Sequence, residues 1–166
     1  MPPFYPTELL CLYLDVVVAW GLYIVLMPAN KNLSALAAWL RVIYGGIFIF
    51  AISKLYVALQ VLAADGVQAM SFLKAFQSIW DNGLILFGFH LLVLGYLAFK
   101  SGYIPKWLGG LLVLAGLGYI VDGFGRMLSP AYSFSLAQFT FIGEVFLIFW
   151  LLWRGIKGFE NTPASK

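Results

Sequence analysis

The sequence predicts an all-α fold: a polytopic transmembrane bundle of about five spans, with residues 1–166 forming a single integral membrane domain. Three observations carry that prediction. Of the 166 residues, 63% are hydrophobic and only 10% charged, against about 25% charged in an ordinary soluble domain. Mean hydropathy is +0.93. Apolar stretches follow one another with short polar breaks, each close to the roughly 20 residues that a hydrocarbon core about 30 Å thick demands. This composition excludes a water-soluble globule, a disordered tail and a nucleic-acid-binding module.

Taken in order, the spans run from Leu9 to Met27, Leu36 to Leu62, Gly83 to Phe99, Trp107 to Leu128, and Leu136 to Trp153. Pro28 ends the first, Pro105 precedes the fourth, and Pro130 separates the fourth from the fifth, because proline breaks the helical hydrogen-bond ladder. Between the second and third spans, Asp65 and Gln68 have the spacing of a capping box. After them Met70, Leu73, Phe76, Ile79 and Trp80 recur at helical spacing, opposite Gln68, Ser71, Lys74, Gln77 and Asp81. This stretch fits either an amphipathic interfacial helix or an early start of the third span, bent at Gly83. Periodicity alone does not separate the two.

Alternation of spans puts Lys31, Lys100, Lys106, Arg154, Lys157 and Lys166 on one side, with Arg41 near that interface, while Lys74 and Arg126 fall toward the other. The positive-inside rule then places the first group in the cytoplasm, giving an outer N-terminus and a cytoplasmic C-terminus. Trp107, Trp150 and Trp153 are expected in an inner aromatic belt and Trp80 at the outer face. The segment Met1 to Glu8 lacks the basic region and cleavage site of a signal peptide, so the first apolar stretch is expected to persist.

Ionisable residues inside apolar stretches are the informative ones, since each costs about 2.5 to 3.5 kcal/mol at the bilayer centre unless paired, hydrated or snorkelled. Asp15 lies in the first span, Lys54 in the second, His90 in the third, Asp122 and Arg126 in the fourth, and Glu144 in the fifth. Depth counting at 1.5 Å per residue gathers Asp15, Lys54, His90, Asp122 and Glu144 in the outer half. There they are expected to line a polar pocket open to the exterior. Glu8, Cys11, Asp15 and Ala19 share a face; so do Ala115, Gly118, Asp122 and Arg126, and Asp81, Gly88 and Gly95. Small residues on such faces permit close helix approach.

Asp122 and Arg126 stand four apart, the spacing of an ion pair within one helix. Lys54 is expected to snorkel or to pair with an acid. Asp15 and Glu144 have no obvious partner in their own helices, and for them ligand binding stands against interhelical salt bridges or a protonated, hydrogen-bonded state. His90 alone fits a packed, hydrogen-bonded histidine better than a ligand. The phenylalanines, tyrosines and tryptophans read as packing and lipid-facing surface.

Catalytic signatures are absent from the sequence: there is no HExxH, GxSxG, Walker A or GxGxxG. One cysteine, Cys11, and one histidine make no zinc-type ligand set. No cofactor and no metal are expected, and an enzyme is the least favoured class.

The run GFHLLVLGYLAFKSGYIPKWLGGLLVLAGLGYIVDGFGRML, from Gly88 to Leu128, resembles a prokaryotic multi-pass membrane family described as domain of unknown function 4386. Its core is the loop from Phe99 to Gly109, followed by Ala115-Gly116-Leu117-Gly118-Tyr119 and Asp122. The likeness extends to LLCLYLDVVVAWGLYIVL around Asp15, to Leu40-Arg41-Val42 and to Gly143-Glu144. It implies an integral protein of a prokaryotic plasma membrane and no particular reaction. It also implies an additional N-terminal span in other members, with this chain starting at their second.

Two functional readings stay open. In one, Asp15, Lys54, His90, Asp122, Arg126 and Glu144 supply a site that binds or transports a cation, proton or small polar solute. In the other, the buried charges and glycine faces hold helices together or dock a partner, and a homo-oligomer belongs with it. The lipid bilayer is a partner in both; nucleic acid is in neither.

Overall fold

A computed structural model describes residues 6–129 and 131–157, with side chains from Leu9 onward. The predicted break at Pro130, the basic Lys166 and the side chain of Glu8 lie outside the described residues. Among the described residues six helices follow in order: α1 Pro6–Leu26, α2 Lys31–Val61, α3 Gly66–Ser101, α4 Lys106–Leu128, the short α5 Ala137–Thr140, and α6 Ile142–Lys157. With α5 and α6 taken together over Ala137–Lys157, five segments are long and apolar enough to cross a membrane. The chain is an integral membrane helical bundle.

Local chemistry sets most of the boundaries. Asn30 caps α2, its side chain accepting from the Leu33 amide at 3.0 Å, so this helix starts more than a turn before the predicted Leu36. Asp65 caps α3 through the Gln68 amide at 2.9 Å, on the residues expected for a capping box. The chain leaves α3 through Gly102 at φ 73, a left-handed conformation that a side chain would strain. Pro105 then starts α4.

Of the two readings of residues 66–82, the early start of the third span is the one observed. They form the first half of a 36-residue α3 that runs unbroken through Gly83. Packing explains this: a Cβ on Gly83 would lie 3.0 Å from Ile47, so α2 supports α3 at the position where a bend was anticipated.

α3 and α4 form the centre. Leu91, Leu94, Leu97, Leu108, Leu112 and Ala115 are almost completely buried between them. Glycine lies against glycine along this crossing. A Cβ on Gly88 would sit 2.7 Å from the Gly116 carbonyl oxygen, and one on Gly95 2.8 Å from that of Gly109. The predicted face of Asp81, Gly88 and Gly95 therefore packs on α4. α1, α2 and α6 are peripheral and present broad apolar surfaces, among them Trp20, Trp39 and Phe149, as lipid contact requires.

The helices differ in length. At 1.5 Å per residue α3 is ~54 Å long and α4, with 23 residues, ~35 Å. Arg126, near the end of α4, meets Asp81, so residues 66–80 run on beyond it. At the opposite end, Lys31, Lys100, Lys106 and Lys157 gather at helix termini.

Candidate functional site

A polar cluster at mid-depth draws on five helices. Asp15 Oδ1 on α1 accepts from Arg41 Nη2 on α2 at 2.8 Å. Gly45 makes room for this: a Cβ there would stand 3.3 Å from Asp15 Oδ2. The sequence reading set Arg41 near the interface because it began the second span at Leu36. The helix starts at Lys31, so Arg41 lies nearly three turns inside.

Phe87 of α3 is the apolar hub. Its ring centre is 4.7 Å from that of Tyr44, 5.5 Å from His90 and 5.7 Å from Tyr119, with the Arg41 guanidinium 5.8 Å away. His90 is 1% exposed, and its Nδ1 lies 2.8 Å from the Ala37 carbonyl oxygen. A carbonyl only accepts, so Nδ1 carries a proton, and in the neutral ring Nε2 holds a lone pair. From α6, Glu144 reaches the Tyr119 hydroxyl and lies within the field of Arg41. Arg41 also acts electrostatically on His90.

Three atoms of this cluster are buried without a hydrogen-bond partner: Arg41 Nε, His90 Nε2 and Glu144 Oε1. One is a fixed donor, one an acceptor in the neutral ring, and one an acceptor when ionised. Buried polar groups normally find partners. Here three such atoms, on α2, α3 and α6, belong to residues grouped with the Asp15–Arg41 pair.

The remaining predicted residues lie elsewhere, so the six do not share one pocket. Asp122, 4% exposed, does not pair with Arg126 as its i, i+4 spacing suggested. Its Oδ1 accepts from the Tyr132 hydroxyl at 2.7 Å and the Leu136 amide at 2.9 Å, and its Oδ2 from the Ala137 amide at 2.7 Å. It thus fastens the connection between α4 and α5 and occupies amides at the start of α5. The Tyr132 hydroxyl, donating to this carboxylate, is held above the usual tyrosine range. Arg126 Nη1 instead meets Asp81 Oδ1 on α3 at 2.5 Å. Lys54 lies on the periphery, its ammonium 4.5 Å from the centre of the exposed Phe50 ring.

Arg41, Tyr44, Tyr119 and Phe87 join the site without having been anticipated. For Arg41 the missed signal was the cap at Asn30. Tyr44 and Phe87 gave none, since they look like the lipid-facing aromatics around them, and Tyr119 stood out only within the motif of the family resemblance.

The sequence signature of the family described as domain of unknown function (DUF4386) matches residues 6–155. The chain belongs to the DUF4386 family. A relative from Archaeoglobus fulgidus, described as an uncharacterized protein, is 42% identical over 156 residues, covering 93% of this chain and 86% of its own length. No solved structure matches this DUF4386 protein.

Proposed function

We propose that this chain is a membrane-embedded proton-exchanging protein, in which His90 and Glu144 take up and release a proton while Arg41, held by Asp15, anchors a bridging water or small polar solute. The observation that carries this reading is the set of three buried, unpartnered atoms: Arg41 Nε, His90 Nε2 and Glu144 Oε1. A donor and two titratable acceptors left unpartnered in one cluster suit a group that both gives and receives hydrogen bonds, as proton relays of Asp, Glu and His do. A guanidinium within the field of Glu144 disfavours a metal cation at the same place. Among the described residues no three of His, Cys, Asp and Glu gather closely enough to hold one.

The cluster lies within a prokaryotic plasma membrane on this reading, with the N-terminus outside and the basic helix ends at Lys31, Lys100, Lys106 and Lys157 in the cytoplasm. The test is proton flux into liposomes carrying the full chain, driven by a potassium diffusion potential and read with an internal pH dye. Flux above that of protein-free liposomes is expected, with loss in Glu144→Gln and in His90→Gln at unchanged melting temperature. Flux equal to that of protein-free liposomes would overturn the reading.

A second reading, in which the charges serve only to hold the bundle, draws on the Asp15–Arg41 pair and the glycine contacts between α3 and α4. It expects Glu144→Gln to lower the melting temperature.

A further inference from the structure

Away from the mid-depth cluster, a polar cavity of about 480 Å³ opens where the first half of α3 passes the end of α4. Lys74, Gln77, Ser78, Asp81, Asn82 and Arg126 line it. Its charge is unevenly satisfied. Arg126 is matched by Asp81, whereas Lys74 is in no ion pair among the described residues, which leaves the wall with one net positive charge. Of the Asp81 carboxylate, Oδ1 already accepts from both Arg126 Nη1 and, at 3.1 Å, Gln77 Nε2. Beside that carboxylate the cavity presents donors: an ammonium, a guanidinium, the Ser78 hydroxyl and the Asn82 amide.

Its setting supplies the second half of the argument. The adjoining end of α4 exposes Phe124, Met127 and Leu128, the last two at 69% and 79%. A donor-lined hollow beside bare apolar side chains suits a molecule with an anionic head and hydrocarbon tails. We infer that this cavity binds the phosphate of an anionic phospholipid headgroup, with Lys74 and Arg126 as its cationic contacts and the acyl chains running inward along the exposed Phe124, Val121 and Leu117. Charge-assisted hydrogen bonds from an ammonium and a guanidinium are the ordinary means of holding a phosphate.

The full chain in a mild non-ionic detergent, titrated with dioctanoyl phosphatidylglycerol, dioctanoyl phosphatidylcholine and inorganic phosphate, tests the assignment. Phosphatidylglycerol is expected to bind more tightly than the other two. Lys74→Glu should weaken it by about fivefold or more, Lys74 being exposed and its substitution leaving the ligand-free melting temperature unchanged. Asn82→Asp, which puts a negative charge on the same wall, should weaken it similarly. Unchanged affinity in both variants, or equal affinity for phosphatidylcholine, would overturn the site. Inorganic phosphate binding as tightly as phosphatidylglycerol would overturn the lipid and leave a free anion as the ligand.

Discussion

Nη2 of Arg41 on α2 lies 2.8 Å from Oδ1 of Asp15 on α1, with about a fifth of each side chain exposed. Two opposite charges in a medium of low dielectric constant attract strongly, and either one alone is costly to keep there. The pair ties the first helix to the second, and it fixes the guanidinium, whose Nε is buried without a hydrogen-bond partner.

Breaking this pair from one side should be worse than removing it entirely. Asp15→Asn is expected to destabilise the bundle by about 3 kcal/mol, because Arg41 remains charged without its partner. Asp15→Asn combined with Arg41→Gln should recover much of that loss. Thermal melts of the four proteins in one detergent give the coupling energy.

Gly88 has no space for a side chain. Gly88→Leu must push α3 off the Gly116 carbonyl, 2.7 Å from the first added carbon, and is expected to cost about 1–3 kcal/mol or more. Gly21→Ala, with nothing within 4 Å of the added carbon, serves as the control and should be neutral or slightly stabilising. Melting temperatures of the two variants settle the comparison.

Asp122 should behave as a fastening rather than a ligand. Asp122→Asn replaces an acceptor of two amides by a group that can face only one of them with oxygen, at about 1.5–3 kcal/mol for hydrogen bonds to a charged group. Faster hydrogen exchange at Leu136 and Ala137 is the expected sign. The Tyr132 contact adds a pH dependence. Its hydroxyl holds its proton above the ordinary value near 10, so its contribution is complete below that pH and disappears as pH rises through the raised value. Tyr132→Phe should abolish this alkaline loosening of the connection.

His90 is expected as the neutral tautomer with its proton on Nδ1. Nitrogen chemical shifts of ¹⁵N-labelled histidine, the chain having only this one, read the tautomer directly. A protonated Nε2 beside a bare Nδ1 would contradict the 2.8 Å contact to Ala37.

Asp15, His90 and Glu144 were legible because an ionisable residue in an apolar run has no soluble-protein explanation, whatever the fold. Their companions were harder to see. Arg41 was misplaced by one boundary: hydropathy starts a span where apolar residues begin, whereas Asn30 starts the helix by capping it. Asp122 and Arg126 carry the opposite lesson. Spacing of four residues makes two side chains neighbours, but each found a better partner across the bundle, Asp122 in the connection after α4 and Arg126 in Asp81. Such tertiary choices are not written in the periodicity of a single helix. The glycine faces were readable, since small residues repeated on one side imply a close neighbour, although not which neighbour.

The unequal lengths of α3 and α4 make the molecule lopsided along its long axis. Among the described residues lysines ring one pole, and at the other the end of α2 and the start of α3 run on past the end of α4. For a protein of 18.5 kDa that overhang gives the long axis a polarity that a plain cylinder of equal helices lacks.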